Sequence, residues 1–351
     1  MHAKSKIYLI FVVLAGLCWG TYVPLVAQGG RELQDSYASF LCVGVAYFLI
    51  AILLPVAILW MRGKMPAWNA RGVSFATLAG VAGAVGALCV VFATIEFQGP
   101  RLYVAPVIFA LAPVINTLVS LFWHPDEGPF TLGLPREKPH WSLYIGIVLA
   151  GLGAGLVLLA KELTEAAHAA KPAGDRETNP VYLVFVLLAG LCWGTYVPLI
   201  AQGGKELRSS YASFLCVGLA YFLIAILFPL GIFWSRGWFP EFRAMGALLG
   251  TLAGAAGAVG ALCVIFATFE FKGPKIYVAP VIFALAPVIN TLVSLLWRPE
   301  TPHWTLYIGI VLAGGGAGLV LFAKELTEAR HTPAKPAAAP MPAPAVATAK
   351  P

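Results

Sequence analysis

Three sets of residues in this chain have the types and spacing to do chemistry, and each stands in apolar surroundings. Trp19 and Tyr22 lie with Gly20 and Pro24 in the stretch Ala15–Leu25, which returns letter for letter as Ala189–Leu199 with Trp193 and Tyr196. Asn116 and Thr117, flanked by Pro113 and Ser120, return as Asn290 and Thr291, flanked by Pro287 and Ser294. Glu96 and Glu270 are the acids joined directly to apolar runs rather than set in loops. Rings with polar tips, amides and hydroxyls suit the binding of a hydroxyl-rich or zwitterionic solute. A carboxylate at the edge of an apolar run suits proton coupling. A bare cation would call for a carboxylate deep in a run, and no charge sits there.

Covalent and metal chemistry find no footing. The six histidines lie in loops or at run ends without HExxH spacing, and no Ser/His/Asp set converges on the apolar core. Six cysteines form matched trios, Cys18/Cys42/Cys89 and Cys192/Cys216/Cys263, all inside apolar runs and none in a CxxC. They read as small buried residues, neither disulfides nor zinc ligands. The Gly151-x-Gly-x-Gly155 run lacks a preceding strand and a Lys-Ser/Thr ending, so it is no nucleotide loop. The sequence therefore predicts no enzyme, no metal and no cofactor.

The elements that must position these residues follow from composition. Hydrophobic residues make up 60% of 351 and charged residues 11%, with mean hydropathy +0.83. Soluble domains carry about a quarter charged residues, so the deficit names lipid as the solvent. The net charge of +7 comes from basic residues scattered in short loops, which fits orientation in a membrane rather than nucleic-acid binding. The N-terminal apolar run is too long for a signal peptide, and Leu17 before Cys18 spoils a lipoprotein box.

Ten apolar runs can be placed: Ile7–Gln28, Tyr37–Trp60, Val73–Ile95, Tyr103–Trp123 and Trp141–Ala160, then Val181–Gln202, Tyr211–Trp234, Ala247–Phe269, Tyr277–Trp297 and Trp304–Ala323. Each is of bilayer length: the first, at about 22 residues, makes roughly 33 Å of helix. Trp19 then falls about 18 Å in, near half depth, where tryptophan is not an interface anchor. Pro24 and Pro198 free the carbonyls of Gly20 and Gly194, and Pro113 frees that of Phe109. Such groups need rescue by protein or by a wet cavity. Two readings stay open for Trp19/Tyr22 and Trp193/Tyr196, a substrate path or a packed kink. The Asn116/Thr117 and Asn290/Thr291 stripes are either site or helix–helix glue. Glu96 and Glu270 couple protons or pair with Arg101 and Lys275 across a Gly-Pro turn. Gly80, Gly83, Gly86, Gly151/Gly155 and Gly314/Gly318 read as helix-packing seams.

The first four runs of the two halves are about three-quarters identical, the mark of internal duplication. An odd number of crossings per copy makes the second copy enter from the opposite side. The expectation is an all-α polytopic membrane protein of two inverted five-helix repeats. Residues 1–165 form the first repeat, 166–180 a linker, 181–328 the second repeat, and 329–351 a disordered Pro/Ala-rich tail. Lys161-Glu-Leu-Thr-Glu165 recurs as Lys324-Glu-Leu-Thr-Glu328, so the linker reads as the end of an ancestral unit. Basic residues favour both termini in the cytoplasm. Arg62, Lys64, Arg71, Arg136 and Lys138 fill the second and fourth loops, against Arg31 and Arg101 in the first and third. In the second copy Lys64 gives way to Trp238, Arg71 to Met245, Gln34 to Arg208 and Gln98 to Lys272, as inversion requires.

Five plus five runs, the Cys-Trp-Gly-Thr-Tyr motif within the first, the Glu96-Phe-Gln-Gly-Pro100 turn and the Ala-Pro-rich fourth run together resemble the drug/metabolite transporter superfamily. Within it the chain is most similar to EamA-type permeases and to glucose/ribose and rhamnose uptake permeases, over residues 7–325. The resemblance implies a ten-helix bundle, cytoplasmic termini, peripheral fifth and tenth helices, and a central site. It places Trp19, Tyr22, Asn116, Thr117 and their mates near the substrate. The halves are closer to each other than the family pattern leads one to expect. The function expected is secondary transport of a small polar metabolite, such as a sugar, by alternating access in the cell (inner) membrane. The partners expected are that solute and the bilayer, with a homodimer as an option. The alternatives are an exporter of amino acids or drug-like metabolites, and a membrane scaffold or sensor without flux.

Overall fold

A computed structural model describes residues 7–63, 66–125, 127–128, 131–134, 138–168, 179–271, 275–297 and 301–331. Lys4, Lys6, Lys64, Arg136, Lys272, most of the linker and the tail beyond His331 lie outside the described residues. Ten helices carry the rest: α1 Ile7–Leu33, α2 Ser36–Arg62, α3 Ala70–Glu96, α4 Arg101–Phe122, α5 Ser142–His168, α6 Tyr182–Leu207, α7 Ser210–Arg236, α8 Ala244–Ile265 continued by a π-helical turn to Glu270, α9 Lys275–Trp297 and α10 Thr305–His331. Nine are long and apolar enough to cross a bilayer, and α9 adds the apolar stretch Val281–Trp297. Beyond them the described residues hold one isolated bridge, Trp123 to Leu132.

Local signals explain where helices stop and restart. Asp35 caps α2 by accepting from the Ala38 amide at 2.7 Å, and Ser209 does the same for α7 with Ala212 at 3.2 Å. Gly63 and Gly237 close those helices at φ +59° and +62°, a conformation a side chain would strain. α5 runs on to His168 and α10 to His331, past the edges the sequence suggested, because no proline intervenes before Pro172 and Pro333. Four π-helical turns that the sequence reading did not foresee, Phe48–Leu53, Phe92–Glu96, Phe222–Leu227 and Phe266–Glu270, lie at matching places in the two copies.

Glycine contacts reveal how the copies sit. A Cβ on Gly146 would meet Val320 and Gly316, whereas one on Gly309 would meet Val157 and Gly153. Ascending numbers on α5 meet descending numbers on α10, so these mates are antiparallel. Gly44 against Ala225 and Gly218 against Ala51 show the same for α2 and α7. A repeat whose mates run antiparallel is inverted, with its pseudo-dyad across the helices. The halves also interlock. α1 packs along α8 and α9 through Gly29 on Gly250 and Gly20 on Ile289; α6 packs along α3 and α4 through Gly203 on Ala76 and Gly194 on Ile115.

The recurring Lys-Glu-Leu-Thr motif now has a task. Thr164 Oγ1 accepts from the His303 amide at 2.9 Å, and Thr327 Oγ1 from the His140 amide at 3.0 Å. Each threonine ties the end of one peripheral helix to the start of the other, satisfying an amide that the first turn leaves without an intrahelical partner. We call the end carrying Ile7, His140 and His331 the terminal end, and the opposite one the distal end.

Candidate substrate cavity

At half depth the small residues that let helices approach give way to rings, and a cavity of about 80 Å³ lies on the pseudo-dyad. Four aromatic pairs wall it: Trp19/Trp193, Tyr22/Tyr196, Tyr47/Tyr221 and Phe109/Phe283. α1 and α6 supply the tryptophans and the first tyrosines, α2 and α7 the second tyrosines, and α4 and α9 the phenylalanines. Tyr47 and Tyr221 lie face to face across the dyad, ring centroids 3.6 Å apart and 2° from parallel. Tyr22 meets Trp193 edge-on at 5.9 Å, and Phe109 lies 6.5 Å from Phe283.

The glycines of α3 and α8 seat these rings. Trp193 donates from its indole to the Gly83 carbonyl at 3.3 Å, and Trp19 to that of Gly257 at 3.4 Å. A Cβ on Gly86 would press within 2.5 Å of the Trp193 ring, and one on Gly257 within 3.0 Å of the Tyr47 hydroxyl. Gly83 and Gly86, which the sequence suggested as helix-packing seams, are thus also ring seats. The wall carries no carboxylate or ammonium. Its polar tools are indole edges and phenolic hydroxyls, and the buried Tyr22 hydroxyl has no hydrogen-bond partner. Such a lining suits stacking on the flatter face of a neutral molecule and a few hydrogen bonds.

Of the residues singled out in the sequence, Trp19, Tyr22, Trp193 and Tyr196 come together on this wall. Asn116, Thr117, Asn290 and Thr291 are buried but do not line it. Thr117 donates to the Pro113 carbonyl and Thr291 to that of Pro287, each at 3.0 Å, so both hydroxyls serve their own helix. Asn116 follows Phe109 and Ala112 at helical spacing, one turn beyond the wall on the same face, and its Oδ1 has no partner. Asn290 stands likewise beyond Phe283, toward the distal end, whereas Asn116 lies toward the terminal end. Glu96 is exposed at the distal end and accepts from Ser36 Oγ at 2.9 Å; Glu270 is exposed at the terminal end. Neither touches the cavity. Among the described residues no cluster of His, Cys, Asp or Glu is placed to hold a metal.

Tyr47, Tyr221, Phe109 and Phe283 escaped the sequence reading. The signal was present for the tyrosines, since Tyr47 lies 11 residues into α2, as out of place at half depth as Trp19. The phenylalanines gave none, because a phenylalanine in an apolar helix is ordinary.

Fold and cavity together define a multi-pass helical membrane protein built from an inverted duplication. Residues 181–322 match the EamA-like transporter family, so α6 to α10 form an EamA-like transporter domain, of which residues 7–123 are a near-copy. That family groups transporters rather than enzymes. A solved structure described as "Crystal structure of protein" is similar in fold, with TM-score 0.50 and 18% identity over 87% of this chain and 97% of that one. No curated protein matches the sequence.

Proposed function

We propose that this chain is a secondary transporter that binds a small neutral polar metabolite, such as a sugar, between the rings on its pseudo-dyad and passes it by alternating access. The observation that carries this reading is the position of the cavity, which lies where the inverted copies meet and draws its lining from both. Toward the distal end α1 closes on α8, a Gly29 Cβ falling 2.8 Å from the Gly250 nitrogen. Toward the terminal end α6 closes on α3, with Gly203 the same distance from the Ala76 nitrogen. These equivalent seams can open in turn by a rocking of one copy against the other. Asn116 and Asn290 stand one turn along the two exits and offer an amide to a solute leaving the rings. Glu96 and Glu270, at opposite ends, are the carboxylates available for proton coupling.

Loop charge supports an orientation with both termini in the cytoplasm and the protein in the inner membrane. The near-absence of charge and the mostly apolar wall favour the second reading, a scaffold or sensor without flux. Flux decides between them. Proteoliposomes should take up a neutral solute at a rate that Asn116→Ala with Asn290→Ala abolishes in a protein that still folds. Absence of flux for sugars, amino acids and nucleosides alike would leave the scaffold.

A further inference from the structure

Every residue on the cavity wall has a mate in the other copy, and the wall departs from that symmetry in one direction. Ala112 of α4, Val197 of α6 and Val217 of α7 line the cavity, while their mates Ala286, Val23 and Val43 do not and are fully buried. All three lie on the terminal side of the rings. Ala112 follows Phe109 and Val197 follows Tyr196 on helices that run toward the terminal end; Val217 precedes Tyr221 on a helix that runs away from it. The inner face of α6 continues the bias. Val197 and Ile200 are half-buried and Ala201 is exposed, whereas Val23, Val26 and Ala27 of α1 have 0% exposure. Tyr196 is half-buried where Tyr22 is buried. Three of these pairs are identical residues, so the difference is one of conformation rather than of side chain. The flanking backbone is alike on both sides: Ser39 donates to the Val26 carbonyl at 3.5 Å and Ser213 to that of Ile200 at 3.4 Å. Each end also holds an ion pair, Arg71 with Glu206 and Arg236 with Asp35, so polar ties do not set the direction. One polar atom belongs to the opened side. Asn116 stands four residues after Ala112, and helical side chains lean toward the N-terminus, here toward the cavity. Its Oδ1 is buried without a hydrogen-bond partner, an unfavourable state that a donor on a solute would relieve.

We propose that the unloaded protein rests open toward the terminal end, through a vestibule between α4, α6 and α7 in which Asn116 Oδ1 accepts from an O–H or N–H of the entering solute. Val23, Val26 and Ala27 are the plug that closes the distal side. This rests on the alternating-access reading above. The pseudo-dyad then defines the other state. In it Val23 and Val43 join the wall, Val197, Ile200 and Ala201 form the plug, and Asn290 takes the place of Asn116. With the termini in the cytoplasm, the resting vestibule faces the cytoplasm.

Cysteine accessibility in the full-length protein tests this without knowledge of the solute. Val197→Cys, Ile200→Cys and Asn116→Cys, made singly and placed in sealed vesicles of known orientation, should react with a membrane-impermeant methanethiosulfonate supplied on the side of the termini. Val23→Cys, Val26→Cys and Asn290→Cys should react at least about tenfold more slowly from either side, since a minor state is populated at ~0.1–10%. Peptide mass spectrometry reads each site apart from the six native cysteines. Where a member of a pair fails to fold, Ala201→Cys against Ala27→Cys replaces it. Equal rates at the mates, faster reaction of the α1 positions, or protection of both sets in variants with the wild-type melting profile would overturn the proposal. The expected labelling in a protein without flux would keep the vestibule and overturn the transporter reading instead, so the two failures are distinct.

Discussion

The α5–α10 pair and the central cavity are made by the same pseudo-dyad, yet one seam is closed on backbone and the other is hollow. Between α5 and α10 the facing residues are glycine and alanine: a Cβ on Gly153 would run into the Ala313 backbone, and Thr164 and Thr327 fasten the two ends. Across the dyad α1 faces α6 and α4 faces α9 with tryptophan, tyrosine and phenylalanine, rings that line the cavity. Residue size at the dyad thus decides whether an inverted duplication makes a joint or a chamber. On the proposed alternating-access reading, the joint fastens the copies while the chamber rearranges.

Four variants sharpen that contrast. The largest effect belongs to the joint: Gly153→Leu should lower stability by several kcal/mol, because backbone on α10 cannot yield. Size-exclusion profiles and melting curves should show loss of the folded protein; an unchanged Tm would mean the joint is not close-packed. In the chamber, Trp19→Leu with Trp193→Leu should reduce solute affinity about tenfold while the bundle persists, since stacking on a ring is worth about 1 kcal/mol and leucine still fills apolar space. Equal losses in binding and folding would erase the distinction. Along the exits, Asn116→Ala should slow uptake with little change in Tm, read as initial rate in proteoliposomes. The smallest change is expected from Thr164→Val, about 1 kcal/mol of stability without effect on flux, because it removes one fastening hydrogen bond and nothing at the rings.

Much of the fold was legible because its causes are local. Bilayer-length apolar runs, an odd number per copy and loop charges that swap sides predict ten helices and an inverted pair. Trp19 and Tyr22 were legible as residues at the wrong depth. The rest depends on which helix faces which. Thr164 is a polar residue in a repeated motif until His303 is seen above it, and Gly86 is a packing glycine until Trp193 is seen against it. The π-helical turn that follows Tyr47 has no marker in the run Phe48–Leu53, all of whose residues suit an α-helix equally. The stripe of Asn116 and Thr117 divides for the same reason. Pro113 claims the threonine hydroxyl locally, whereas the Asn116 Oδ1 is buried without a partner.

The most direct test of the chamber is a thermal-shift screen of the purified protein against sugars, amino acids and nucleosides, repeated with the Trp19→Leu/Trp193→Leu variant. A solute bound between the rings raises the wild-type Tm in proportion to the logarithm of its concentration above Kd. The account predicts such a solute, and predicts that the variant needs about tenfold more of it for the same shift. A shift of equal size in both proteins would place binding elsewhere and contradict the account.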